Sequence, residues 1–129
     1  MVLVDTSIWI ELHGKRAREI TPADASRFVT CGPILQEVIQ GLRQDSWGLV
    51  LRQALLALPR LSDPVPIEIF LQAADIYYLG RRKGHTIRSS IDCLIAAIAV
   101  ANRVPVWHRN RDFAVIARYT GLEAFERLP

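Results

Sequence analysis

Four acidic residues stand out in this 129-residue chain for where they fall: Asp5, Glu37, Asp92 and Asp112. Asp5 closes the short apolar run "VLV", and Glu37 lies in the second turn of an apolar-patterned helix. Asp92 sits in the first turn of "SSIDCLIAAIAVA" (89–101), and Asp112 follows "VPVW" across the polar segment His108–Arg111. Carboxylates gathered in a partly dry cleft cannot all stay ionised without a compensating cation. A hard divalent ion held through oxygen, Mg2+ or Mn2+ in its place, resolves that conflict. Such an ion acidifies a bound water and stabilises both oxygens of a phosphodiester displacement, so this set of residues points to metal-assisted hydrolysis.

Each acid also has a purely local explanation. Asp5 can cap the helix after the strand, and Glu37 can be a solvated helix charge. Ser89-x-x-Asp92 has capping-box spacing, with Asp in place of Glu. Asp112 can serve the positive end of a helix dipole. Only their coincidence at one edge of a sheet favours the chemical reading.

The elements that must deliver this coincidence can be read from periodicity. "VLVD" (2–5) is expected as a buried parallel strand, followed by a helix from Thr6 or Ser7 through His13. "TPAD" (21–24) has a helix-start pattern, and "RFVTC" (27–31) reads as a second strand stopped by Gly32-Pro33. Helices are expected over 33–42, 47–58, 66–84 with a stop at Gly84, and 89–101. A strand at 104–107, a helix at 111–120 and a strand at 122–125 complete the chain. Strands alternating with helices imply one α/β domain spanning 1–129, with a mainly parallel sheet and a helical hairpin beside it. Ligands of such sheets bind beyond the carboxyl ends of the strands, where Asp5 and Asp112 fall.

The helical wheel refines two positions. From Ile34 the apolar residues Ile34, Leu35, Val38, Ile39 and Leu42 span roughly 140°, with Glu37 about 60° outside that arc. On the later helix Asp92 shares a face with Ile95, Ala96 and Ala99, and apolar residues surround nearly the whole cylinder, which marks it as central.

Net charge is only +3, but of the 16 basic residues just Lys15 and Lys83 are lysine, leaving 14 arginines. They concentrate in "KRAR" (15–18), "RRKGHTIR" (81–88) and "RNR" (109–111). Arginine's planar fork suits phosphate, so Arg88, Arg109 and Arg111, with His108 between them, are candidate substrate contacts. The histidines lack metal-ligand spacing, and Trp9, Trp47, Trp107, Tyr77 and Tyr78 read as core or interface. Cys31 and Cys93 form no disulfide framework or zinc motif. With no signal peptide legible and no apolar run near the roughly 20 residues that cross a bilayer, a cytoplasmic location is expected. Nucleotide-fold glycine loops are absent from the sequence.

Taken together, "VDTSIWIEL", "ILQEVIQGL" and "IDCLIAAIAVANRVPVWHRNRDFAVIA" resemble the PIN-domain toxins of the VapC type, in order and spacing, from residue 2 to about 125. The resemblance implies a three-layer α/β/α fold and a Mg2+-dependent endoribonuclease in a toxin–antitoxin pair. It further implies an RNA substrate (tRNA or rRNA), a homodimer, and a VapB-type antitoxin that covers the acidic site. Carried over by position, the family's acids are Asp5, Glu37 and Asp92, with Thr6 or Ser7 as the hydroxyl beside the first. The last motif departs: relatives carry an "HRDRDF"-like run, and this chain has "HRNRDF" with Asn110 at the first aspartate. Asp112 is then expected as the fourth ligand, with Asn110 making a weaker contact, because an amide oxygen binds a hard cation less well. Asn110 also motivates a rival reading, a non-catalytic RNA- or partner-binding domain with a degraded metal site. A phospho-enzyme built on Asp5 is disfavoured, since its usual second aspartate two residues on is Ser7.

Overall fold

A computed structural model describes residues 1–13 and 20–129; the basic run at 15–18 lies outside the described residues. In chain order the elements are β1 (Val2–Val4), α1 (Thr6–Leu12), α2 (Pro22–Ala25), β2 (Phe28–Val29), α3 (Gly32–Gln40) and α4 (Ser46–Ala57). There follow α5 (Ile67–Arg82), α6 (Ser90–Asn102), β3 (Val106–Trp107), α7 (Arg111–Ile116) and β4 (Ala124–Phe125).

The four strands form one parallel sheet in the order β2-β1-β3-β4. β1 is central, pairing Leu3 with Val29 on one side and with Val106 on the other. All three of its residues are buried, as the unbroken "VLV" run requires of a strand covered on both faces. The result is the expected three-layer α/β/α arrangement.

The connection from β2 to β3 carries α3 to α6 past the central strand. Among these, α6 is the buried one: Cys93, Ile95, Ala96, Ala97, Ile98 and Ala99 are all in the core. Full burial of each isoleucine stabilises the fold by about 1.5–3 kcal/mol. The small residues let neighbours approach closely, and α5 runs along α6 as the expected helical pair. Arg103 adopts left-handed backbone (φ 55°) at the end of α6, turning the chain into β3. Gly84 (φ 79°) follows α5 where a stop was expected.

α5 is also tied to the end of α7. The Tyr119 hydroxyl donates to the Ile76 carbonyl at 2.9 Å, and its ring stacks on His85. A Cβ at Gly80 would come within 2.6 Å of the tyrosine oxygen, so only glycine permits this approach.

Several expected elements are shorter than the sequence suggests; the strands at 104–107 and 122–125 reduce to Val106–Trp107 and Ala124–Phe125. The strand at 27–31 reduces to Phe28–Val29, because Thr30 instead pairs with Arg60 through bonds to Pro59 and Leu61. The helix expected to Thr120 ends at Ile116, where the Thr120 hydroxyl caps the Ile116 carbonyl at 2.8 Å. No helix among the described residues is long and apolar enough to cross a membrane.

Candidate active site at the carboxyl edge of the sheet

The first residues beyond β1 and β3 are Asp5 and His108, so both stand at the carboxyl edge of the sheet. α6 feeds β3 through three residues, which puts its C-terminus at the opposite edge and its N-terminus, with Asp92, at this one. α7 begins three residues after β3 and adds Asp112. Asp5, Asp92 and Asp112 are 2%, 5% and 2% exposed, the buried acids of the described residues. Glu37 on α3 is half-buried at the rim. All four acids singled out from sequence therefore meet at one end of the fold.

Each carboxylate is held by identifiable partners. Asp5 caps α1 by accepting the Ser7 amide at 3.1 Å, and its same oxygen accepts the Ser7 hydroxyl at 2.6 Å. The Ser7 oxygen in turn accepts the Arg109 amide at 2.9 Å, joining β1's end to the 108–110 loop. The adjacent hydroxyl does something else: Thr6 donates to Glu37 at 3.0 Å, across from α1 to α3. Expected as alternatives, Thr6 and Ser7 divide the work, one per acid. Glu37 and Gly41 also line an apolar cavity of about 310 Å3 with Trp9, His13 and Leu51.

Asp92 does not close the capping box that its spacing offers. Ser89 makes no side-chain cap hydrogen bond, and Asp92 instead accepts the Asn110 amide nitrogen at 2.9 Å. Asp112 accepts the Arg88 backbone amide at 3.1 Å, and the Arg88 guanidinium lies 3.6 Å from its other oxygen. That arginine side chain is 63% exposed, so it offsets little of the buried charge. Burial pushes the Asp92 carboxyl up to about 7, the Asn110 amide works against this, and the Asp112 and Asp5 carboxyls push the same way as burial.

Among the described residues, no three histidine, cysteine or acidic side chains close on a common point as a finished metal cage would. The chemistry of the donors nonetheless fits a hard divalent cation: three buried carboxylates are gathered, and burial, with the neighbouring carboxyls adding to it, pushes Asp92 toward its protonated form. The two cysteines offer no competing soft site; burial pushes the Cys31 thiol up to about 12 and Cys93 to about 11.

Two expected roles need correcting. His108 is 1% exposed and cannot reach a substrate; its Nδ1 accepts the Asn110 amide at 3.1 Å, tightening the loop before α7. Burial holds its imidazole below the usual range, toward the neutral form that acceptance requires. Asn110 does not offer its amide oxygen to the cluster. That oxygen caps α7 by accepting the Asp112 amide at 2.9 Å, leaving the nitrogen to face Asp92. Arg88 and Arg111 are exposed at the start of α6 and α7, whereas Arg109 pairs with Glu11 at 3.4 Å.

Three further features have no counterpart in the sequence. These are the Glu11–Arg109 pair, the Arg88 backbone contact to Asp112, and Thr30, a fully buried residue at the end of β2 whose hydroxyl lacks a partner. The first two are long-range and leave no local spacing to find. Thr30 had a faint signal, as a hydroxyl directly after an apolar strand, like Thr6 after β1 and Asp5.

A family model, the PIN domain, matches residues 2–119 of this chain. VapC ribonuclease Mb1587 of Mycobacterium bovis is 38% identical over 131 residues, covering 96% of this chain and 97% of the relative. Among solved structures, DNA-bound VapBC from Salmonella typhimurium aligns with a TM-score of 0.74 at 21% identity, covering 96% of each chain. VapBC-5 from Mycobacterium tuberculosis, of the VapBC family of toxin-antitoxin systems, aligns with a TM-score of 0.71 at 20% identity over 97% of each. At these identities the structural likenesses speak to the fold.

Proposed function

The chain belongs to the PIN-domain family, among its VapC-type toxins, and from that premise we propose that it is a Mg2+-dependent endoribonuclease. It acts as the toxin of a toxin–antitoxin pair, in the cytoplasm, as a homodimer held inactive by a VapB-type antitoxin. What carries the reading is the convergence of buried Asp5, Asp92 and Asp112, from three different elements, on the edge where open parallel sheets bind their ligands.

Asp5, Asp92 and Asp112 would hold the cation, with Glu37 at the rim. When bound, Mg2+ supplies a water acidified toward neutral pH and stabilises charge developing on the phosphate oxygens. The chain's own groups fix the geometry. Ser7 orients Asp5, Thr6 orients Glu37, and the apolar body of α6 holds Asp92 rigidly against the core. Exposed Arg88 and Arg111 flank the acids, where their guanidinium groups would take the RNA backbone.

The test is cleavage of defined RNA by the purified protein. EDTA should abolish it, Mg2+ or Mn2+ should restore it, and Asp5→Asn and Asp92→Asn should be folded but inactive. Cleavage that persists in EDTA, or full activity in both variants, would overturn the reading. RNA binding that survives EDTA without any cleavage would favour a non-catalytic domain instead.

A further inference from the structure

Asn110 occupies the position where the resemblance leads one to expect aspartate, and its side chain is used at both ends. Its oxygen accepts the Asp112 backbone amide at 2.9 Å, and its nitrogen donates to the Asp92 carboxylate at 2.9 Å. The orientation of this amide is chemically forced, because an N–H can donate only to the oxygen, which leaves the NH2 group for the carboxylate. Its backbone amide is engaged too, donating to His108 Nδ1 at 3.1 Å. One residue thus joins the end of β3, the start of α7 and the first turn of α6. An aspartate could still cap α7 but would set a further carboxylate against Asp92.

We propose that Asn110 is a positioning residue: it clamps Asp92 to the start of α7, and it keeps the acidic cluster one charge smaller than an aspartate would. The clamp rests on the metal-site reading above and extends it, since it says what holds the ligands in place before a cation arrives. Asparagine trades cation affinity for a preformed cluster. An aspartate at the same place binds a hard cation better and leaves the metal-free protein with a further uncompensated charge, half-buried beside Asp92. On this view Asn110 is not a remnant of a decayed site, because a decayed position would not be satisfied at three atoms.

The decisive comparison is wild type against Asn110→Asp and Asn110→Ala, using Mn2+ alone as the probe in calorimetry and thermal melting of the metal-free proteins. Asp caps helices as well as Asn does, so Asn110→Asp preserves the start of α7 and reports on the Asp92 side. It should bind Mn2+ roughly tenfold more tightly than wild type. Its metal-free form should melt lower, and saturating Mn2+ should close that gap. Asn110→Ala, which removes the clamp without adding charge, should bind Mn2+ several-fold more weakly. Wild-type Mn2+ affinity and melting in Asn110→Asp would overturn the proposal while leaving the metal site intact. Wild-type protein that takes up no Mn2+ would overturn both.

Discussion

Thr21–Asp24 and Ser89–Asp92 share the spacing of a capping box, one opening α2 and the other opening α6. At α2 the box closes on itself: Asp24's amide donates to the Thr21 hydroxyl at 3.1 Å, and Thr21's amide returns to the Asp24 carboxylate at 3.2 Å. Bonds from the Thr21 hydroxyl and amide hold the Asp24 carboxyl below its ordinary value, with Arg27 adding to them. At α6 neither half of the box forms, and burial pushes the Asp92 carboxyl up to about 7. α2 buries none of its residues, whereas α6 buries most of its own. The same four-residue pattern therefore offers a cap, and tertiary surroundings decide whether it is taken. Where the helix is exposed, the carboxylate serves the backbone; where the helix is central, long-range partners claim it.

The comparison breaks most visibly in activity. Asp92→Asn should reduce RNA cleavage by more than the roughly 10–100-fold typical of losing a group that only supports a metal ligand. Asp24→Asn should leave cleavage unchanged. Comparable losses in the two variants, measured on one RNA at saturating Mg2+, would mean that Asp92 acts through the fold and not at the reacting site.

The next largest difference is in how stability responds to pH without metal. Burial pushes the Asp92 carboxyl up to about 7 in the folded protein, against an ordinary 3.8 in the unfolded chain, so between those values the folded state holds the extra proton. Stability then falls as pH rises through this window, by at most about 1.4 kcal/mol per pH unit. Asp24 has the opposite sign: its folded value is depressed, so its contribution is present above 3.8 and lost as pH falls through the folded value. Denaturant unfolding in EDTA at pH 5 and pH 7 should show wild type weaker at the higher pH, with Asp92→Asn flattening that difference. A wild-type curve that is flat or rises would remove the buried-carboxyl account.

These contrasts also show what the chain makes legible. The strands and helices were readable because apolar periodicity reports burial directly, as in "VLV" and "CLIAAIA". The four acids were readable because parallel topology sends strand ends, and the start of any helix that returns to the sheet, to one edge. Partner choice was not readable. Nothing near Asp92 in sequence announces Asn110, which lies 18 residues away, nor does anything near Ser7 announce the Arg109 amide 102 residues away. The substrate contact expected of His108 fails for a related reason. Its exposure depends on how tightly the 108–110 loop folds back, and that depends on the same distant contacts.

The smallest effects test the caps themselves. Thr21→Ala removes an acceptor in use and should cost about 1 kcal/mol. Ser89→Ala removes a hydroxyl that caps nothing, so it should change stability by no more than about 0.5 kcal/mol, although its position is formally the same. Both can be read from denaturant unfolding at one fixed pH and salt concentration. A Ser89→Ala cost equal to that of Thr21→Ala would mean the hydroxyl does cap α6 in solution. Asp92 would then be half of a box after all, and its contact with Asn110 would be secondary to the helix start. A silent Ser89→Ala beside a costly Thr21→Ala leaves Asp92 with no local task, and places its role among Asp5, Asn110 and Asp112.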